Sequence, residues 1–200
     1  MASRQGVWLL YAQGLRFDGA PRYDAGGGRI KPLVWGTQKP EVNDSLLSLR
    51  AAVALLTGQV PRLQGKQLAF EPNVMTQKLQ RLLPDHAVKM ESQLDPAAAL
   101  QVVQQGGVGL VAIRTPGKPL HWGVVVGCEG RWSGEVPLLT SAHAILVLDW
   151  SVPLVWGSGN NVRLERELGA EEWIATTMEG GRWLVLLGAA VWVRVAEPSP

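Results

Sequence analysis

The first half of the chain carries apolar residues at spacings of three and four, which is typical of helices packed against a core. Residues 46–56 repeat leucine and valine in this way, after the helix-start residues 43–45 and before Gly58. This pattern predicts a helix that is capped at its start and stopped by glycine. Residues 73–83 and 95–105 have the same spacing and predict two further helices.

From Gly106 the pattern changes to short runs of valine, isoleucine and tryptophan between glycine, proline and asparagine turns. Such runs predict strands, and their close succession favours an antiparallel sheet. The predicted strands cover residues 108–113, 120–126, 145–148, 162–164 and 183–195, the last as one strand or a hairpin, and residues 7–11 are a candidate first strand. Residues 129–142 contain glycine and proline and predict a long connection.

The length of 200 residues and a hydrophobic content of 46% are sufficient for one domain with a sizeable core. We expect a single domain over residues 1–200, with a helical part at about residues 40–106 and a sheet part at about residues 107–195. The predicted fold class is α+β, with an N-terminal helical lobe packed on a C-terminal antiparallel sheet.

Charge and cysteine content narrow the possible partners. The 19 basic and 17 acidic residues form no basic run, so we expect no nucleic-acid partner. The apolar run near the N-terminus is too short for a signal peptide, and residues 183–195 are too short for a spanning helix. These features predict a cytoplasmic protein without a membrane span. Cys128 is the single cysteine, and His86 and His143 lack metal-ligand spacing, so no metal or cofactor is predicted.

Two apolar runs each carry one chemically able residue at an end. His121 stands at the start of one run, and Asp149 follows the next. If the two strands pair antiparallel, the histidine and the aspartate lie close together, as the base and the orienting carboxylate of a hydrolytic triad do. Alternation then puts Trp122 and Trp150 on the opposite face. Residues 157–161, which end in Asn160 and Asn161, are predicted to form a tight turn. The two asparagines can also lie near Asp149.

Cys128 is not the expected nucleophile. It lies seven residues after His121, about 23 Å along an extended strand, and strict alternation puts it on the other face. We therefore expect an ordinary buried or strand-end cysteine.

The order of a helix, further helices, and strands that deliver histidine and then aspartate resembles the papain-like cysteine peptidases. The chain is most similar to the compact bacterial group that includes the leader peptidases of bacteriocin exporters, over roughly residues 38–149. The resemblance implies a papain-like domain that cleaves peptide or isopeptide bonds of a peptide or protein partner. It implies that Ser45 occupies the nucleophile position at a helix N-terminus, with His121 as base and acid, Asp149 as orienter and Gln38 as oxyanion donor.

In that family the nucleophile is cysteine, so Ser45 leaves several interpretations open. In the first, it is a native serine of a protein that has lost catalysis; in the second, it replaces a cysteine to silence the enzyme. In the third, it is itself the nucleophile that attacks the substrate, and in the fourth it only caps the helix. His121 also fits a strand-end histidine bonded to a neighbour, and Asp149 a turn-initiating aspartate. The alternative function, from another class, is a non-catalytic binding or assembly module that uses the same cleft or the tryptophan-rich sheet.

Overall fold

The structure is a computed structural model of the 200-residue chain. It describes residues 4–11, 14–17, 44–59, 61–63, 70–134, 142–152, 160–166, 171–177 and 180–195. Gln38, the predicted oxyanion donor, lies outside the described residues.

The three predicted helices are confirmed. They are α1 (Asp44–Thr57), α2 (Pro72–Leu82) and α3 (Pro96–Gln104). Gly58, directly after α1, has a φ of 69°, which glycine adopts without the steric cost that a side chain brings. The carboxylate of Asp95 caps α3 by accepting a hydrogen bond from Ala97 N at 3.0 Å. Within the described parts of the chain, none of the helices has the length and apolar character needed to cross a membrane.

The described strands are more numerous than the sequence pattern indicates. They are β1 (Arg4–Tyr11), β2 (Gly14–Phe17), β3 (His86–Glu91), β4 (Val108–Arg114), β5 (His121–Gly134), β6 (Ala144–Leu148), β7 (Val162–Arg166), β8 (Trp173–Thr177) and β9 (Arg182–Val195). The predicted strands are confirmed, and the last is a single strand. Strands β2, β3 and β8 were not predicted, and β3 lies inside the part of the chain that was expected to be helical.

All nine strands belong to one antiparallel sheet, and six of them close into a barrel. Strands β5, β6, β7, β8 and β9 pair in that order, β9 returns to pair with β4, and β4 pairs with β5. Strands β1 and β2 extend the sheet beyond β5, and β3 pairs with β9. The predicted fold class, a papain-like helical lobe packed on an antiparallel sheet, is therefore wrong.

The physical reason is that the helices pack on the barrel, α1 and α2 together on its outer face and α3 on its interior cluster, and build no core of their own. The interior is one apolar cluster to which all six barrel strands contribute, and α3 adds Leu100 and Val103 to it. Helices α1 and α2 cover the outer face instead, where Leu49 and Met75 pack with Leu110 of β4. Since each helix finds its apolar partner in the sheet, the helices do not gather into a lobe.

Strand β5 is twice as long as the run that predicts it, because its second half pairs with β1. The register runs from Arg4 opposite Gly134 to Tyr11 opposite Gly127, so the predicted connection over residues 129–142 is strand up to Gly134. The pairing of β5 with β6 shifts between Val125 and Gly127, which marks a bulge. Because of this bulge, the side chain of Cys128 joins that of Val125 in the interior cluster. The expectation that strict alternation puts Cys128 on the face opposite to His121 is therefore wrong.

The register also places the two ends of the barrel. Helix α3 leads into the start of β4 through a hydrogen bond from Gly107 N to Val102 O, so it lies at that end. His121 pairs with Ile113, close to the last residue of β4. The opposite end of the barrel therefore holds the start of β5, the end of β6 and the start of β7.

Candidate active site

The predicted histidine and aspartate meet at this end of the barrel. His121 Nε2–H donates to Asp149 Oδ2 at 3.0 Å, and the two side chains are 7% and 3% exposed. The pair forms because β5 and β6 are antiparallel neighbours. Val124 lies opposite Leu148, so the start of β5 and the residue that follows β6 lie at the same end of the barrel, within reach of each other's side chains. The predicted proximity of these two residues is confirmed.

Asp149 is held as a carboxylate despite its burial. Burial alone would raise its pKa, but the hydrogen bond and the charge of His121 and two hydrogen bonds from Ser151 together keep the pKa of Asp149 below its usual value. The carboxylate is thus the ionised partner that a histidine base requires on its other side.

The turn after Asp149 supplies the bonds to the second carboxylate oxygen. Asp149 Oδ1 accepts from Ser151 N at 2.8 Å and from Ser151 Oγ at 2.7 Å. Val152 N also donates to Asp149 O at 3.3 Å. Asp149 therefore starts a turn as well as binding His121, and the two interpretations of this residue are compatible.

Asn161, just before β7, locks this turn from the other side. Its Oδ1 accepts from Asp149 N at 2.8 Å, and its Nδ2 donates to Asp149 O at 2.7 Å and to Val152 O at 3.0 Å. The side chain is buried, and its two bonds to Asp149 are shielded from competition with water. The prediction that an asparagine of this loop lies near Asp149 is confirmed for Asn161.

Ser45 is the second residue of α1 and is only 1% exposed. Its Oγ accepts from Phe70 N at 3.1 Å, and Phe70 O in turn accepts from Trp122 Nε1 at 2.8 Å. The hydroxyl thus joins the helix to a distant segment, so capping alone does not explain this serine. The structure brings His121 to Asp149 and ties Ser45 to Phe70, and the role of Ser45 as nucleophile stays a prediction.

Ser48 is a contact residue that the sequence pattern does not reveal. Its Oγ donates to Trp122 O at 2.6 Å and accepts from Trp150 Nε1 at 2.7 Å. Trp122 and Trp150 directly follow the histidine and the aspartate, and both indoles turn toward the helices, as alternation predicts. One buried serine of α1 therefore touches the chain beside both members of the pair.

Within the described residues, no three histidine, cysteine, aspartate or glutamate side chains come together as metal ligands. Glu129 and His143 do lie 2.9 Å apart, between Glu129 Oε1 and His143 Nε2, but the carboxylate also accepts from Arg163. A guanidinium in this position satisfies the carboxylate with its own charge.

No protein-family model matches the sequence, and none of the curated proteins compared with it is similar enough to match. The resemblance to papain-like peptidases therefore rests on the order and pattern of the residues.

Proposed function

We propose that the chain carries a hydrolase site of the cysteine-peptidase type, formed by His121, Asp149 and the residue at position 45. The observation that carries the proposal is the buried 3.0 Å hydrogen bond between His121 Nε2 and Asp149 Oδ2. Such a bond fixes the imidazole in one tautomer and orientation and stabilises the imidazolium that forms during acyl transfer. The proposed substrate is a peptide or isopeptide bond of a peptide or protein partner.

The proposed chemistry follows from which ring nitrogen Asp149 holds. Because Nε2 donates to the carboxylate, Nδ1 of His121 is the atom assigned to take the proton of the nucleophile and to return it to the leaving amine. Asp149 remains ionised throughout, in keeping with its lowered pKa. Gln38 is retained as the proposed oxyanion donor.

Helix α1 supports the choice of position 45. Ser45 and Ser48 are three residues apart and so lie on the same side of the helix. Ser48 touches Trp122 and Trp150, the residues next to the proposed base and orienter. Position 45 is one turn nearer the helix N-terminus, where the helix dipole stabilises a thiolate. A hydroxyl gains little from that dipole, so we favour a silenced or decayed cysteine enzyme over a serine nucleophile.

The test is the pKa of a thiol introduced by Ser45→Cys. Burial by itself raises a thiol pKa, whereas the helix N-terminus and an imidazolium lower it from about 8.5 to below about 7.5. The thiolate is measured by its ultraviolet absorbance against pH, with the unsubstituted chain subtracted. Cys128 contributes no signal at neutral pH, since burial raises its pKa to about 12.

The control is the double variant Ser45→Cys with His121→Ala, in which the helix is unchanged and the imidazole is removed. The proposal expects the low thiol pKa to rise by at least about 1 unit in the double variant. A thiol pKa at or above the ordinary value in both variants would contradict the enzyme proposal.

The second candidate function is a non-catalytic peptide- or protein-binding module. The observation that favours it is the engagement of Ser45 Oγ with Phe70 N at a buried position, which gives the serine a structural use. An unactivated thiol in the test above, together with binding of a peptide that is never cleaved, would support this function. The cytoplasmic location expected from the sequence stays a prediction in either case.

A further inference from the structure

Ser151 stands between solvent and the buried His121–Asp149 pair. Its side chain is exposed, yet its Oγ donates to Asp149 Oδ1 at 2.7 Å and lies 3.5 Å from His121 Nε2. The shorter distance is a strong charge-assisted hydrogen bond, whereas the longer one is at the limit of hydrogen bonding. The hydroxyl of Ser151 is therefore hydrogen-bonded to the carboxylate of Asp149 rather than to the imidazole of His121.

We infer that Ser151 is a positioning residue, which fixes the plane of the Asp149 carboxylate so that one oxygen stays on His121. The inference deepens the proposed function and rests on it for its catalytic meaning. A carboxylate turns easily about its last torsion, and its two oxygens are equivalent until their partners differ. Here Ser151 N and Ser151 Oγ both hold Oδ1, so rotation would break two hydrogen bonds in addition to the one to His121.

The hydroxyl of Ser151 also affects the ionisation of Asp149. Asp149 is buried, and its carboxylate is stabilised by His121 and by the hydrogen bonds from Ser151, which keep its pKa low. Among the described groups, His121 supplies the charge that acts on this carboxylate. Loss of the hydroxyl removes one of the hydrogen bonds that stabilise the carboxylate, so we expect the pKa of Asp149 to rise.

The experiment compares Ser151→Ala with Ser151→Thr in the full chain with its native Ser45. The carboxyl of Asp149 is followed by carbon NMR during an acid titration of protein labelled at aspartate, and its signal is identified by its absence in Asp149→Asn. We expect Ser151→Ala to raise the pKa of Asp149 by about 1 unit. Ser151→Thr keeps a hydroxyl and is expected to titrate like the unsubstituted protein.

Ser48→Ala is the matched control for a purely structural loss. This variant removes a buried serine hydroxyl that binds Trp122 O and Trp150 Nε1 but has no bond to the carboxylate. It is expected to lower stability and to leave the pKa of Asp149 unchanged. An unchanged Asp149 titration in Ser151→Ala, or an equal shift in Ser151→Ala and Ser151→Thr, would overturn the inference.

This result is separable from that of the proposed function. The titration of Asp149 uses the native serine and does not depend on a nucleophile, whereas the proposed function is judged by the thiol pKa of Ser45→Cys. If both hold, adding Ser151→Ala to Ser45→Cys raises the thiol pKa by a fraction of a unit toward its ordinary value. If His121 lowers the thiol pKa but Ser151→Ala does not change it, Ser151 does not position His121.

Discussion

Asn161 holds the turn after Asp149 through three hydrogen bonds to backbone groups, all made by one buried amide. A side chain of this kind has a larger effect than its size indicates, because two of its three bonds are made to buried backbone groups of Asp149. Its removal leaves Asp149 N and Val152 O without this partner and leaves Asp149 O with only the longer bond from Val152 N. The geometry of the whole candidate site therefore depends on an uncharged residue outside the proposed triad.

Asn161→Ala is expected to lower the free energy of unfolding by about 3 kcal/mol, since each unsatisfied buried polar group costs about 1–3 kcal/mol. Urea denaturation measures the change. Gln101→Ala, at an exposed position of α3, is the control and is expected to change stability by less than about 0.5 kcal/mol. A loss in Asn161→Ala no larger than that of the control would show that the amide does not hold the turn.

At the residue scale the sequence predicts the groups whose position is set by a strand end. His121 and Asp149 each adjoin a clear apolar run, and antiparallel pairing is enough to bring them together. Ser48 and Ser151 are different, since a serine hydroxyl has no pattern of its own and finds its partner only in the folded chain. Their roles could not be read from spacing.

At the scale of elements, a charged cluster joins β5, the residue just before β6, and β7. Glu129 Oε1 accepts from Arg163 Nε at 3.0 Å and from Arg163 Nη2 at 2.8 Å, and it lies 2.9 Å from His143 Nε2. Arg163 Nη1 also donates to Glu165 Oε2 at 2.7 Å. Burial would raise the pKa of Glu129, but the hydrogen bonds from His143 and Arg163 and their charges lower it to about 2.

Because the pKa of Glu129 is lowered on folding, its stabilisation is fully present above the unfolded value of 4.5 and is lost as the pH falls toward about 2. Glu129→Gln is therefore expected to lower the free energy of unfolding by about 2 kcal/mol at neutral pH and by much less at acid pH. Urea denaturation at a series of pH values checks this, with the exposed Glu172→Gln as control. An equal loss at all pH values would contradict the assignment.

Some of the elements that the sequence misses have partners far away in the chain, whereas β2 and β8 are short strands that pair with their neighbours along the chain. Strand β3 is short and follows a helix directly, so its pattern gives little signal until it pairs with β9. The second half of β5 contains glycines typical of a loop, and it becomes a strand because β1 pairs with it. Closure of the barrel has the same origin, since no local pattern indicates that β9 returns to β4.

At the scale of the whole molecule, Cys128 reports on the integrity of the barrel. Its side chain is buried in the interior cluster, and burial raises the pKa of its thiol to about 12. Both accessibility and ionisation thus oppose its reaction in the folded state.

We expect a disulfide reagent to modify Cys128 at least about 10³-fold more slowly in native buffer than in denaturing urea, because reaction requires the barrel to open. The release of the coloured thiol is followed with time. The variant Glu172→Cys, which adds a thiol at an exposed position, is expected to give one fast phase in native buffer. Rapid modification of Cys128 in the unsubstituted native protein would mean that the interior is open to solvent.

The pairing of β4 with β9 also bears on how fast the protein acquires its structure. Val108 of β4 lies opposite Val193 of β9. The pairing that closes the barrel thus joins residues about 80 positions apart, and bringing such distant segments together slows folding. His121 and Asp149 are 28 positions apart, on strands that follow each other in the chain. In a refolding experiment we expect His121 and Asp149 to be in contact before β4 pairs with β9. The hairpin of β5 and β6, which carries the candidate site, therefore forms before the barrel closes.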